Sequence, residues 1–444
     1  MSTGIPTNKK IWQITYPIVL TLVAQNIVNV TDTAFLGRVG EVELGASALA
    51  GIFYMAIFML GYGFSTGTQI MIGRRNGEKE YTQVGQIFDQ SIYFFVALAA
   101  IVFCIIYIFG TPMLQLIVSS ENILAASEVY LSTRVFGVLF AFGNLGFRAL
   151  LVGITQTKAL GYSAFVMATT NVLLDYIFIF GHFGIPAMGI GGAALASVFA
   201  EFSALAFFIV YSMVKLDRKQ YPIFKFPYIN FKIIGKTLEL SVYVMAQYFI
   251  SLLTWFTFFA FIEKMGERPL AISNIVRSIY TVLMIPVMAL STATNTLVSN
   301  AIGAGFKEDV IKIINKLVLW GLIVALPILA TMLLIPETMV SIYTDSEELI
   351  QQTIPSIYTI SGAVIMFALG FIAFSGVSGT ANTKTGLFLE IITLVIYITY
   401  VYWITQIKQA PVHIAWTSEY VYMTFLALFS YLYLLSGRWK KKEI

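Results

Sequence analysis

Long apolar runs recur along this chain from Ile11 to Ser436, separated by short polar stretches. A bilayer-crossing helix needs about 20 mainly apolar residues. Twelve runs meet that length: 11–36, 44–72, 87–111, 128–154, 159–181, 188–214, 233–262, 270–301, 311–335, 352–378, 385–407 and 412–436. None of the connections is long enough to be a soluble domain. The pattern predicts an all-α integral membrane protein with twelve transmembrane helices.

Composition agrees: 58% of the 444 residues are hydrophobic, 11% are charged, and mean hydropathy is +0.82, far from the balance of soluble domains. Lys9 and Lys10 precede the first run as in a signal peptide, but the run is too long and lacks a small-residue cleavage site, so the first helix is expected to be retained. Counting Lys and Arg by connection puts twenty on the side of the N-terminus and four (Arg38, Lys264, Arg268 and Lys408) on the other. By the positive-inside rule both termini are cytoplasmic. The net charge of +4 is thus an orientation signal and not a sign of nucleic-acid binding. A single cysteine, Cys104, excludes a disulfide framework or thiolate cluster within the chain, and His182 and His413 are the only histidines.

The chain repeats itself. Ser65, Thr66, Thr68 and Gly77 recur 226 residues on as Ser291, Thr292, Thr294 and Gly303, and the turn Gly153 to Lys158 recurs as Gly379 to Lys384. This predicts a six-helix lobe over 1–214, a basic cytoplasmic linker over 215–232, a second six-helix lobe over 233–436 and a basic tail over 437–444. An even number of crossings gives both lobes the same orientation, an arrangement that supports alternating access.

Ionisable side chains inside spans are costly and by default functional. In NVLLDYIFIFG, Asn171 and Asp175 stand four apart, one turn of a single helix face. Asp32 lies in the first span, with Asn29 three residues before it. The same 226-residue shift takes Asp32 to Phe258, Asn171 to Tyr397 and Asp175 to Val401, so the scaffold does not require these acids. Two buried acids with amides make a proton or cation site, and oxygen ligands suit Na+ as well as H+. Protonation and cation binding exclude each other at one carboxylate.

The stretches TDTAFLGRVG (31–40), STGTQIMIGRRNG (65–77), GITQTK (153–158), NVLLDYIFIFG (171–181) and GIGGAALASVFAE (189–201) resemble the multidrug and toxic compound extrusion (MATE) transporters, most closely their DinF-like branch. The resemblance implies export of organic cations or other amphipathic small molecules against inward H+ or Na+, with no cofactor and no evident obligate protein partner, from the inner (cytoplasmic) membrane of a bacterial or archaeal-type cell. It assigns coupling to Asp32, Asp175 and Asn171, which would also hold any Na+, with the Ser197 hydroxyl and the Ala193 carbonyl as further ligands. The NorM-like branch uses acids within helices 7 and 10; here Glu263 only ends helix 7, which places the cation site in the first half.

Glu201 is expected on a proton path or near Ser197, and Gln25, Gln69, Gln247, Asn274 and Asn295 are cavity candidates because amides in spans need partners. Arg148 is read as snorkelling to the interface, or else as pairing with a lipid phosphate or a gate carboxylate on a proton path or cavity, and Arg134 and Arg277 as snorkelling. Glu390 and Glu419 are read as second-half polar contacts for a cationic substrate or, the favoured reading, as partners that pin helices. Pro17, Pro286, Gly61 and Gly63 are potential bends. The competing reading is a flippase for a lipid-linked precursor, which needs a basic cavity where the deep charges here are acidic. An intramembrane enzyme would need a motif such as H-E-x-x-H, and the sequence has none.

Overall fold

A computed structural model describes residues 4–442. Residues 1–3 and 443–444, the extreme ends of the expected first lobe and basic tail, lie outside the described residues. In chain order the helices are α1 (Asn8–Val39), α2 (Glu41–Gly77), α3 (Tyr81–Gln115), α4 (Glu121–Arg134), α5 (Gly137–Gly153), α6 (Lys158–Phe180), α7 (Gly189–Val214), α8 (Phe231–Glu263), α9 (Glu267–Leu283), α10 (Ile285–Gly303), α11 (Val310–Leu334), α12 (Pro336–Ser341), α13 (Glu347–Gly379), α14 (Thr383–Tyr402), α15 (Val412–Ala415) and α16 (Ser418–Leu435). Among the described residues nine stretches are long and apolar enough to cross a membrane alone, and the pairs α4–α5 and α9–α10, bent by 50° and 49°, make one span each. With α16 closing the series, the protein has twelve transmembrane helices in two six-helix halves.

The repeat holds contact by contact. Shifted by 226 residues, Glu41–Gly77 lands on Glu267–Gly303 and Glu121–Gly153 on Glu347–Gly379. The Ser65 hydroxyl donates to the Leu145 carbonyl at 2.8 Å, and Ser291 donates to the Phe371 carbonyl at 2.8 Å. Ser120 caps α4 by accepting from the Ile123 N–H, and Ser346 caps α13 by accepting from Leu349, satisfying donors that a helix start leaves free. The last helix departs from this shift. Asn144 donates to the Glu201 carbonyl, while a Cβ at Gly370, the counterpart of Asn144, would meet Met423. Glu201 thus corresponds to Met423 and Ser197 to Glu419, a spacing of 222 residues.

The bends are not part of the repeat. The α9–α10 break falls at Met284, two residues before Pro286, whose ring cannot donate to the helix ladder; α2 runs unbroken through the matching position. The α4–α5 break falls at Val135 and Phe136, where α13 is continuous. Pro17, Gly61 and Gly63 lie inside unbroken helices, whereas the anticipated bend near Pro286 coincides with a helix break.

By their contacts the described residues divide into one unit spanning 16–241 and another formed by 4–15 with 242–442. In the second unit the start of the chain is held by Gly4 N donating to Asp309 Oδ2 (3.0 Å) and by Lys316 donating to the Pro6 carbonyl (2.8 Å). In the first unit the basic linker is strapped down. Buried Asp89 accepts from the backbone N–H groups of Phe224, Lys225 and Phe226 at 2.9, 2.8 and 2.9 Å. Phe224 and Phe226 have φ of 60° and 41°, a left-handed backbone that costs about 1–3 kcal/mol per residue and persists only where surrounding contacts impose it. Gln90 accepts from Asn230 N at 2.7 Å and donates to the Tyr228 carbonyl at 3.1 Å. Burial pushes the Tyr221 phenol up to about 12, so it stays a donor to Asn76 Oδ1, 2.8 Å away.

Candidate functional site

Three helices of the first unit bring the acids together. Asn171 and Asp175 occupy one face of α6 and are fully buried, and Asp32 on α1 meets them. With the Asn171 amide oriented so that its nitrogen faces the carboxyls, it donates to Asp32 Oδ1 at 3.1 Å and to Asp175 Oδ2 at 3.2 Å. The two carboxyls are also within hydrogen-bonding reach of each other, a contact that requires a proton between them. Asp175 Oδ1 is buried and accepts from no protein donor. A shared proton or a small cation would satisfy it, and an unsatisfied buried carboxylate oxygen is costly enough to demand one.

Helix α7 closes the site. Ser197 Oγ lies 3.5 Å from the Asn171 amide. Its approach depends on Gly192, where a Cβ would sit 2.7 Å from the carbonyl carbon and oxygen of Phe178 on α6. Ala193 packs in the apolar cluster of Leu36, Ala46, Ile179 and Ile190 beside the site. Among the described residues, no group of three or more His, Cys, Asp and Glu side chains is spaced to hold a metal, so the donor set is two acids with neutral oxygens.

Beside the acids lies an ion pair that the sequence reading missed. Arg134, expected to snorkel, is instead buried and forked onto Glu201, with Nη2 to Oε1 at 2.5 Å and Nη1 to Oε2 at 2.8 Å. Tyr54 donates to both Glu201 oxygens at 3.0 and 3.2 Å, and the guanidinium sits 3.8 Å from the Tyr54 ring centroid. The charge of Arg134 reaches Asp32 and Tyr130. Gly137 makes room for the pair: a Cβ there would collide with Arg134 Nη1 and Glu201 Oε2. Sequence distance hides this partnership, since 67 residues separate the two. The one available signal was two opposite charges in spans.

The other expectations divide. Arg148 does not snorkel freely: it donates to the Tyr62 hydroxyl at 2.8 Å and to Gln69 Oε1 at 3.5 Å, with its guanidinium 4.6 Å from the Tyr62 ring centroid. Arg277 is exposed. Asn29, although one turn from Asp32, is exposed, and its side chain makes no hydrogen bond to Asp32. Gln25, Gln247 and Asn274 are half-buried and outside the acid cluster, and Asn295 is buried in α10.

The second unit holds a matching place. Phe258 and Tyr397, counterparts of Asp32 and Asn171, meet ring to ring at 6.3 Å, and the Tyr397 hydroxyl donates to Glu419 at 3.4 Å. Since Glu419 corresponds to Ser197, the second half is not devoid of acids at this place, as the uniform shift implied. The four-residue difference in the last helix concealed it. Glu390 accepts from Tyr422 at 2.6 Å and Ser251 at 2.9 Å through Oε1, while its buried Oε2 has no partner.

Known proteins show the same architecture. The sequence model of the MatE family matches residues 17–177 and again 244–403, one copy for each half. The chain belongs to the MatE family, the multidrug and toxic compound extrusion transporters. It is 21% identical over 451 residues to the "Probable multidrug resistance protein NorM" of Thermotoga maritima, covering 98% of this chain and 94% of that protein. It is 26% identical over 302 residues to the same-named protein of Agrobacterium fabrum, covering 67% of this chain and 64% of that one, so this match spans under two thirds of the relative. Among solved structures, a MOP superfamily transporter from Pyrococcus furiosus superposes with a TM-score of 0.89 at 18% identity, covering 98% of this chain and 97% of that one. A MATE crystal structure in complex with MaL6 superposes with a TM-score of 0.91 at 17% identity, with the same coverage. The last two support the fold alone.

Proposed function

We propose that this protein is a secondary antiporter that exports amphipathic, drug-like or cationic small molecules in exchange for H+ or Na+. It works by alternating access of the lobes 1–214 and 233–436, in a cytoplasmic membrane with both termini inside, without a cofactor. The observation that carries this reading is the Asn171 bridge between Asp32 and Asp175, with Asp175 Oδ1 unsatisfied and fully buried. Such a group is neutral when it holds a proton or a monovalent ion and costly when empty. Occupancy therefore changes how α1, α6 and α7 pack, which is the coupling an antiporter needs. Ser197 supplies one more neutral oxygen. The relatives' names, multidrug resistance proteins, support the substrate class.

The test is uptake of a fluorescent cationic dye into proteoliposomes whose lumen is acidic or loaded with Na+, so that outward ion flow drives the dye inward. One of the two gradients is expected to drive uptake, and Asp32→Asn and Asp175→Asn are each expected to abolish it in protein that remains folded. Dye that ignores both gradients, or variants that transport normally, would overturn the assignment.

A further inference from the structure

The linker and the end of the chain are both basic, but they treat their side chains in opposite ways. At the end, Trp439 is 2% exposed and Lys440 pairs with Glu308 at 2.6 Å. In and just after the linker the apolar groups are turned out: Tyr228 is 98% exposed, Phe231 79% and Ile229 53%. Lys225, Lys232 and Lys236 are exposed beside them, and among the described residues none of these three forms an ion pair. Lys232 and Lys236 stand four apart on α8, one turn of a single face. The only acid between 215 and 232 is Asp217, whose carboxylate accepts from the backbone N–H groups of Lys219 and Gln220. All of these residues belong to the first unit.

The strap fixes the depth at which these groups lie. It is tied to α3 at Asp89 and Gln90, and Tyr93 adds a hydrogen bond to the Pro227 carbonyl at 3.0 Å and a ring contact with Phe226 at 5.8 Å. The apolar run of α3 begins at 87 and ends at 111. Such a run rises about 37 Å, against a hydrocarbon core about 30 Å thick, so Asp89 stands where the helix passes from headgroups to acyl chains. Gln90 holds the backbone on both sides of Ile229 through Tyr228 and Asn230, which leaves the side chains of this stretch free to face outward. Tyrosine rings favour this depth, and unpaired lysines next to a span attract anionic headgroups. We propose that the linker is a docking surface for the anionic phospholipids of the adjoining leaflet. Their phosphates meet Lys225, Lys232 and Lys236, while Tyr228, Ile229 and Phe231 enter the boundary between headgroups and acyl chains. The surface acts whatever drives transport; in the orientation proposed above its leaflet is the cytoplasmic one.

The experiment is hydrogen exchange of the full-length protein in nanodiscs of phosphatidylcholine alone and of phosphatidylcholine with phosphatidylglycerol in equal parts. Both leaflets of a nanodisc carry the same lipid, so the result does not depend on orientation or on transport. Phosphatidylglycerol is expected to slow exchange over residues 226–236 at least about fivefold at about 0.1 M salt, and the gain should shrink at about 1 M, where the Debye length falls from about 10 to about 3 Å. The combined substitutions Lys225→Gln, Lys232→Gln and Lys236→Gln are expected to remove the gain. Lys440→Gln, Lys441→Gln and Lys442→Gln together, which change net charge equally at the end of the chain, are expected to keep it. Tyr228→Ser with Phe231→Ser keeps the charges and is expected to reduce the gain at least about twofold. Equal exchange in the two lipids, a gain that survives the linker substitutions, or one lost equally with the tail substitutions overturns the proposal. Stronger protection by heparin in phosphatidylcholine nanodiscs than by phosphatidylglycerol would also overturn it, by giving the surface to a soluble polyanion.

Discussion

Set side by side, the equivalent places of the two halves share a scaffold and differ in chemistry. In the first, Asp32, Asn171, Asp175 and Ser197 form a polar knot, flanked by the Arg134–Glu201 pair. In the second, Phe258, Tyr397, Val401 and Glu419 occupy those positions, and the flank is replaced by open space. The hydrogen bonds of Ser65 and Ser291, the serine caps and the helix bounds coincide. A duplicated bundle thus keeps the contacts that hold helices at fixed spacing, while the residues one turn away diverge.

Three exchanges of residues between the halves and one symmetric control test this, beginning with the largest effect. Arg134→Ile gives the first half the residue at Ile360 and leaves Glu201 buried without its counter-charge. It is expected to cost about 3–5 kcal/mol of stability; adding Glu201→Met, the residue at Met423, should recover most of that in a double-mutant cycle of thermal unfolding. If Arg134→Ile proves neutral, the pair is not the structural element described here. Asp175→Val copies Val401. Dye flux in proteoliposomes should fall at least about 100-fold, or about 2.7 kcal/mol, while thermal unfolding shifts upward, because a buried acid with one unsatisfied oxygen has become apolar. A fall in both would mean that Asp175 holds the fold.

Asp89→Asn copies Asn315 and replaces an acceptor-only carboxylate with an amide that has one acceptor atom. The strap should loosen by about 1–3 kcal/mol, read as faster hydrogen exchange at Phe224, Lys225 and Phe226. Ser65→Ala and Ser291→Ala are the symmetric control. Each removes one hydrogen bond of 2.8 Å, and each should cost about 1 kcal/mol. Unequal losses would show that the shared scaffold is held differently in the two halves.

The spans were legible because bilayer thickness sets their length, and the repeat because identical residues recur at one spacing. Asn171 and Asp175 were legible because four residues is one helical turn. Asp32 joined them only through its acidity in an apolar run, and the same argument failed for Asn29, which faces outward. Arg134 with Glu201 was illegible because helices α4 and α7 bring them together and no local spacing records it. The equivalence of Glu419 to Ser197 was illegible for a different reason: it rests on a four-residue change in register after the π-helical turn Trp403–Ile407, which an alignment at constant spacing cannot express. The α4–α5 bend has no proline to announce it. Its glycine becomes intelligible only once the ion pair beside it is seen.

The linker carries one further consequence. A stretch containing Lys215, Arg218, Lys219 and Lys225 between two bundles would ordinarily be where trypsin divides such a chain. Here the backbone around Lys225 is drawn onto Asp89 and held in a geometry that cannot extend into a protease cleft without breaking three hydrogen bonds. The covalent bridge between the halves is therefore armoured on one side, and a protein cut there would report that its first half had already loosened.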